Sequence, residues 1–258
     1  MAFQNRIFSV CAAAVIACGV SSEAHADDTC SALPSFEALK NALVSARKEG
    51  NGGLNLDMWG TIVDRSGTVC AVAYTGSAAD SQWPGSRVIS AQKANTANAF
   101  SLAGLALSTA NLYSATQPGA SLFGLQESNP VDTDVAYSGS ADEFGTSDDP
   151  MVGERIGGVN VFGGGLALYS ADGKILGGLG VSGDTSCADH NIAWRTRNIL
   201  KLDTVPSGVA PTKNDQIIFD IDSGKSAGGF GHPKCGGTED AIAAKLAPTA
   251  VKEAAKKE

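Results

Sequence analysis

His190 stands beside Asp189 in the segment Cys187-Ala188-Asp189-His190-Asn191. A neutral imidazole can ligate iron, and a carboxylate or backbone group on its other nitrogen would orient it. The plainer reading, a hydrogen-bonded structural histidine near a disulfide, has the same residues behind it. Ser90-Ala91-Gln92-Lys93 matches the S-x-x-K of penicillin-recognising serine enzymes. That chemistry also needs a K-T-G strand, and neither K-T-G nor S-D-N occurs, so the match reads as a surface helix. Gly178-Leu179-Gly180-Val181-Ser182-Gly183 spells G-x-G-x-x-G, with Asp203 lying 20 residues beyond it. The strand before it pairs through a hairpin and no second parallel strand follows, which removes the dinucleotide context. His232 reads as a loop residue, and Trp59 and Trp194 as core or rim. Trp83, in the polar loop Gln82-Trp83-Pro84-Gly85, suits the lining of a flat ligand.

These residues are positioned by a recognisable run of elements. Two apolar stretches, Val159–Tyr169 and Ile175–Val181, flank Ser170-Ala171-Asp172-Gly173, a strong hairpin signal. A helix follows from about Ala188 to Leu200, with Asp184 or Thr185 as its N-cap. The glycines Gly163 to Gly165, Gly177, Gly178 and Gly180 exceed what ordinary strands carry and mark a bulge or a close approach to the backbone. Upstream, Ser35–Glu49 has the apolar spacing of an amphipathic helix, stopped at Gly50-Asn51-Gly52-Gly53. Met58–Val63 and Val69–Tyr74 form another hairpin about Asp64-Arg65-Ser66-Gly67, and an alanine-rich helix spans about Ser86–Phe100. The segment 102–154 reads as an insertion, its aspartates between Asp132 and Asp149 as a solvated acidic loop. Ile217–Ile221 reads as an edge strand, and the tail from Thr238 (238–258) as a fraying end. Hairpins dictate antiparallel pairing, so the fold class is α+β, a sheet with helices on its faces.

The chain has 258 residues, a hydrophobic share of 43% and a formal net charge of -8. That charge argues against nucleic acid or an anionic membrane surface as a partner. Residues 1–26 read as a signal peptide: Arg6, an apolar run from Ile7 to Val20, and Ala24-His25-Ala26 before Asp27. The run falls short of the roughly 20 residues of a membrane span, so no transmembrane segment is expected, and the product is assigned to the periplasm. A lipobox ending at Cys18 is the alternative. Removal of the signal leaves Cys30, Cys70, Cys187 and Cys235, which permit three pairings. We adopt Cys187–Cys235, which would staple the tail to the glycine-rich stretch, with Cys30–Cys70, which would tie the N-terminus to the first hairpin. Without a C-x-x-C pair, a cysteine metal site is not expected.

Three motifs together resemble one family. They are the V-D-x-x-G hairpin Val63-Asp64-Arg65-Ser66-Gly67, the K-A-x-T-A helix Lys93-Ala94-Asn95-Thr96-Ala97, and Gly163-Gly164-Gly165 followed by Asp172-Gly173 and Gly180-Val181-Ser182-Gly183. The set, spread over about Phe36 to Leu200, resembles the GlcG/HbpS family. That resemblance implies a profilin-like α/β/α fold with an antiparallel five-stranded sheet and helices on both faces, single-domain over 27–237, and a homo-oligomer. It also implies haem binding, in one relative with a threonine oxygen near the iron, which carries over to Thr96. The insertion, the cysteine-bearing tail and Cys187–Asn191, where the family shows an acidic D-E pair, depart from the pattern.

The reading is therefore an exported, non-catalytic protein for haem or a related planar tetrapyrrole, its ring lying against the glycine-rich sheet. Thr96 or His190 would offer the axial atom, Arg87 and Lys93 would meet the propionates, and Trp83 would line the rim. An oligomeric interaction module without cofactor is the alternative. A haem-degrading activity, or an acyl enzyme at Ser90, stands further back.

Overall fold

The computed structural model describes residues 28–78 and 80–250. The signal peptide, Cys11, Cys18 and the last eight residues lie outside the described residues. Helix α1 (Phe36–Lys48) starts at Ser35, whose hydroxyl accepts from Ala38 N. It buries Leu39, Ala42, Leu43 and Ala46 on one face. Asn51 closes its end by donating to the carbonyls of Ala46 and Glu49, at 3.0 and 2.8 Å. Strands β1 (Trp59–Asp64) and β2 (Val69–Tyr74) meet at a turn where Asp64 Oδ1 accepts from Ser66 N and Thr68 N. Helix α2 (Ser86–Phe100) follows, then the short helices α3 (Thr109–Leu112) and α4 (Thr133–Ala136).

Strands β3 (Gly165–Tyr169) and β4 (Ile175–Ser182) turn at Gly173, with φ at +76°. Helix α5 (Ser186–Ile199) is capped by Thr185. Asp184, the other candidate cap, instead accepts from Leu54 N and Leu56 N, tying the loop after α1 to the start of α5. The sheet runs β2-β1-β4-β3, antiparallel throughout, with α2 on one face and α1 and α5 on the other.

The sheet thus has four strands and not five. Beyond β3, residue 203 makes a single bridge to Tyr169, and Ile217 N–H is taken by His190 Nε2. Further along the chain lies a separate two-stranded ribbon, β5 (Ile221–Asp222) with β6 (Lys225–Ser226). The run before β3 is also shorter than its apolar content suggests: Val159 and Val161 pack with Leu112 instead of extending the strand.

The glycines do mark a close approach, and what approaches is α2. A Cβ on Gly180 would collide with Ser90 O and Ala94 N, and one on Gly178 with Ala94 O. The helix backbone lies directly on the strand, so this face is not open to a planar ligand. On its far side α2 meets the insertion, with Ala136, Met151 and Ile156 completing the core around Trp59, Val63, Val72, Val88 and Ala91. The tail after Thr238 is also bound: α6 (Glu239–Ala243) packs on α5, and Trp194 Nε1 donates to Ala247 O at 2.8 Å. Both expected disulfides, Cys30–Cys70 and Cys187–Cys235, are formed.

Candidate functional site

Helix α2 carries Arg87, Ser90, Lys93 and Thr96 on nearly successive turns, all buried. The sheet and the insertion commit each of them to a protein partner. Thr96 Oγ1 donates to Gln92 O at 2.7 Å and accepts from Asn160 N at 2.9 Å. Its oxygen is fully enclosed. Lys93 Nζ lies 2.7 Å from Asp189 Oδ2 and 3.1 Å from Val181 O, across the Gly163-Gly164-Gly165 crossing. Burial pushes the Lys93 ammonium down and the Asp189 carboxyl up to about 6, while their mutual attraction opposes both shifts. Ser90 donates to Arg87 O and receives Thr61 Oγ1 at 2.7 Å, so it has no lysine base beside it.

His190 faces inward from α5. Its Nε2 accepts from Ile217 N at 3.1 Å, which places the ring proton on Nδ1 and uses the only lone pair. Burial pushes its pKa down to about 3, helped by the positive charges of Arg197 and Lys93. The ring thus has the burial and the hydrogen bond that the structural reading describes. The structure brings His190 and Lys93 to one seam through Asp189, and Thr96 one turn further along α2, but the seam is filled by protein groups.

Arg87 sits elsewhere, at the first turn of α2, in a half-open cleft of about 500 Å³. Its guanidinium makes two bonds to Asp149, at 2.5 and 2.9 Å, and one to Ala136 O. Asp149 is thus a buried partner and not part of a solvated loop, whereas Asp134, Asp142 and Asp148 are exposed. Phe144 lies over the guanidinium, 3.6 Å from ring centroid to Cζ. Trp59 and Tyr74 stack at 4.5 Å, and Gln82, Pro84 and the two-thirds exposed Tyr137 line the cleft with them. Trp83 is half exposed between two lining residues. The indole Nε1–H of Trp59 is buried and has no partner among the described residues.

Sequence reasoning missed Trp59, Tyr74, Tyr137 and Phe144 as a group. The first pair was recoverable, because the Asp64–Gly67 turn places Trp59 opposite Tyr74 in register. Tyr137 and Phe144 sit in turns without periodicity and gave no such signal. His232 was also missed: it is buried against Cys187 and Cys235 and not in an open loop.

The family model for the haem degrading protein HbpS-like family matches residues 35–197. The chain belongs to the HbpS-like family. Among solved structures, this HbpS-like chain is similar to the PduOC:heme complex, at 26% identity over 65% of this chain and 92% of that one, with a TM-score of 0.45. The Klebsiella pneumoniae protein ORFY matches at 23% identity, over 65% and 90% of the chains, with a TM-score of 0.42. HbpS matches at 17%, over 65% and 89%, with a TM-score of 0.37. No curated protein matches significantly.

Proposed function

We propose that this chain binds haem or a related tetrapyrrole as an exported, non-catalytic carrier or sensor, with the ring in the cleft beside Trp59. The observation that carries the location is the orphaned indole N–H of Trp59 in a cleft walled by Tyr74, Phe144 and Tyr137. A buried donor without an acceptor costs about 1–3 kcal/mol, which a ligand acceptor such as a carboxylate would recover. Aromatic walls and a volume within the roughly 300–1,000 Å³ of small-molecule sites suit a flat, largely apolar guest. The haem-directed description of the family supports the choice of guest.

The residues present define what they would contribute. Phe144 and Tyr137 would cover the ring and exclude water, and Trp59 would donate to an acidic substituent. Arg87 is already neutralised by Asp149, so it would hold the wall rather than meet a propionate. Tyr137 supplies the phenol oxygen among the lining residues that suits iron, whose chemistry when bound is that of the haem itself. Thr96 and His190 are enclosed and do not line this cleft.

Haemin titration tests the reading. A saturable Soret band at one equivalent is expected, with affinity falling about tenfold in Phe144→Ala, a loss of about 1.4 kcal/mol. Absence of a saturable band would overturn it. Membership of a haem degrading protein family favours a second reading, which bleaching of the bound band under a reductant and oxygen would select.

A further inference from the structure

The Cys187–Cys235 disulfide has a surrounding that a structural staple does not require. One ring nitrogen of His232 and the two sulfur atoms lie within 4.8 Å of one another. His232 Nδ1 is 2.7 Å from Pro233 O and 3.8 Å from Cys187 Sγ; since a carbonyl only accepts, Nδ1 carries the proton and Nε2, on the Ser186 side of the ring, the lone pair. A histidine that donates one N–H to a backbone carbonyl, fixing its tautomer, has the outer-shell arrangement of a metal ligand. Ser186 Oγ stands 3.4 Å from His232 Nε2 and 3.5 Å from Cys235 Sγ. Cys187 N–H, in the first turn of the 14-residue α5, points at Cys235 Sγ from 3.2 Å. Amides at a helix N-terminus stabilise a thiolate.

A second feature points to a cation. Glu239 is buried, and its Oε1 accepts from Cys235 N at 2.6 Å. Its Oε2 is buried without a hydrogen-bond donor among the described residues. An unpaired buried carboxylate oxygen on the residue that holds Cys235 N is costly unless positive charge is near. Sulfur and imidazole ligands together select a borderline-soft dication such as Zn²⁺.

We propose that Cys187, Cys235 and His232 form a redox-gated site for a soft divalent cation, closed as the disulfide and opened by a dithiol reductant. A reductant thiolate attacks Cys235 Sγ, the half-buried sulfur, and the S–S bond breaks with Cys187 leaving as thiolate. The second reductant thiol then displaces Cys235, so two electrons pass to the protein and the reductant departs as a disulfide. The cation takes the place of the two thiol protons, which go to solvent, and the His232 ring turns to bring its Nε2 lone pair onto it. Ser186 Oγ or a water completes a tetrahedral set. The metal then holds the tail to α5 as the disulfide did.

The test is Co²⁺ titration of the full-length chain, before and after anaerobic reduction with tris(2-carboxyethyl)phosphine, followed by Zn²⁺ displacement. The reduced protein should take up one equivalent with thiolate-to-cobalt charge-transfer bands, and the oxidised protein none. His232→Ala should weaken Co²⁺ binding at least ~10-fold, since even outer-shell losses reach that size. Cys30→Ser/Cys70→Ser should retain it, with far-UV circular dichroism confirming that each variant is folded. No band after reduction overturns the proposal, as does equal binding by the oxidised chain. A band that His232→Ala leaves unchanged overturns it too, because the metal would then sit on thiols alone or at Cys30 and Cys70.

Discussion

At its first turn α2 carries Arg87 to a cleft that stays half open, whereas one to three turns later the same helix is pressed onto β4 until no side chain fits between them. The two regions use similar currencies: a buried cation, a buried aspartate, and an element crossing over them. In the seam, Lys93 and Asp189 are covered by Gly164, which brings backbone into contact with both. In the cleft, Arg87 and Asp149 are covered by Phe144 and flanked by aromatic rings. Glycine removes volume and lets main chain seal the gap. Aromatic side chains hold elements apart and leave a wall that a guest can use. A glycine-rich sheet is thus evidence of close packing, and whether the packed object is a ligand or a helix depends on what else the fold brings there.

If the seam is closed, breaking its ion pair should produce a large loss of stability. Lys93→Met leaves Asp189 as an uncompensated buried charge, and a cost of about 3–5 kcal/mol is expected. Thermal unfolding should show a melting temperature lower by on the order of 10 °C. Replacing both partners, Lys93→Met with Asp189→Leu, should recover much of that loss. A single variant as stable as the parent would mean that water already reaches the pair, and the contrast with the cleft would collapse.

Much of this architecture was legible in the residues. Asp64–Gly67 and Asp172-Gly173 announced both hairpins because their turn chemistry is local. Ser35, Thr185 and the apolar spacing of α1 announced helices for the same reason. Glycines 178 and 180 announced a close approach, yet the identity of the approaching element is a tertiary fact with no local signature. The insertion was opaque for a different reason. Its turns are nucleated singly by Ser108, Asp132 and Ser140, each accepting a backbone N–H, and repeat no period. The pairing of Arg87 with Asp149 spans 62 residues, and nothing near either residue hints at the other. The cleft is built from such long-range pairings, so no local stretch of sequence marks it.

Acid sharpens the comparison at intermediate size. The unfolded chain protonates His190 near pH 6.5, but the folded chain waits until about 3. In that window the unfolded state binds more protons, so stability falls as pH falls. His232, held at about 4, acts in the same direction. Asp189, raised to about 6, opposes them between its ordinary 3.8 and 6, where the folded state holds the extra proton. Two groups against one give net loss on acidification. His190 alone contributes about 2–3 kcal/mol between pH 7 and 4.5, at about 1.4 kcal/mol per pH unit. His190→Gln, whose amide oxygen can still accept from Ile217 N, should flatten the denaturation midpoint against pH over this range. An unchanged slope would mean that the ring is not sealed from solvent.

The smallest expected effect separates the two regions most directly. Thr96 carries the threonine that the family resemblance places near iron, and in this chain its hydroxyl bridges Gln92 O and Asn160 N. Thr96→Ala removes that bridge and leaves one buried N–H unpaired, at a cost of about 1–2 kcal/mol in unfolding free energy. With the ring in the cleft, the variant's Soret position and haemin affinity should match the parent's, while Tyr137→Phe shifts the band. The reverse outcome, a shifted band in Thr96→Ala and none in Tyr137→Phe, would move the ring to the seam. α2 would then have to lift from β4 to admit it, and the glycine contacts at 178 and 180 would be a closed state of the site instead of its permanent floor.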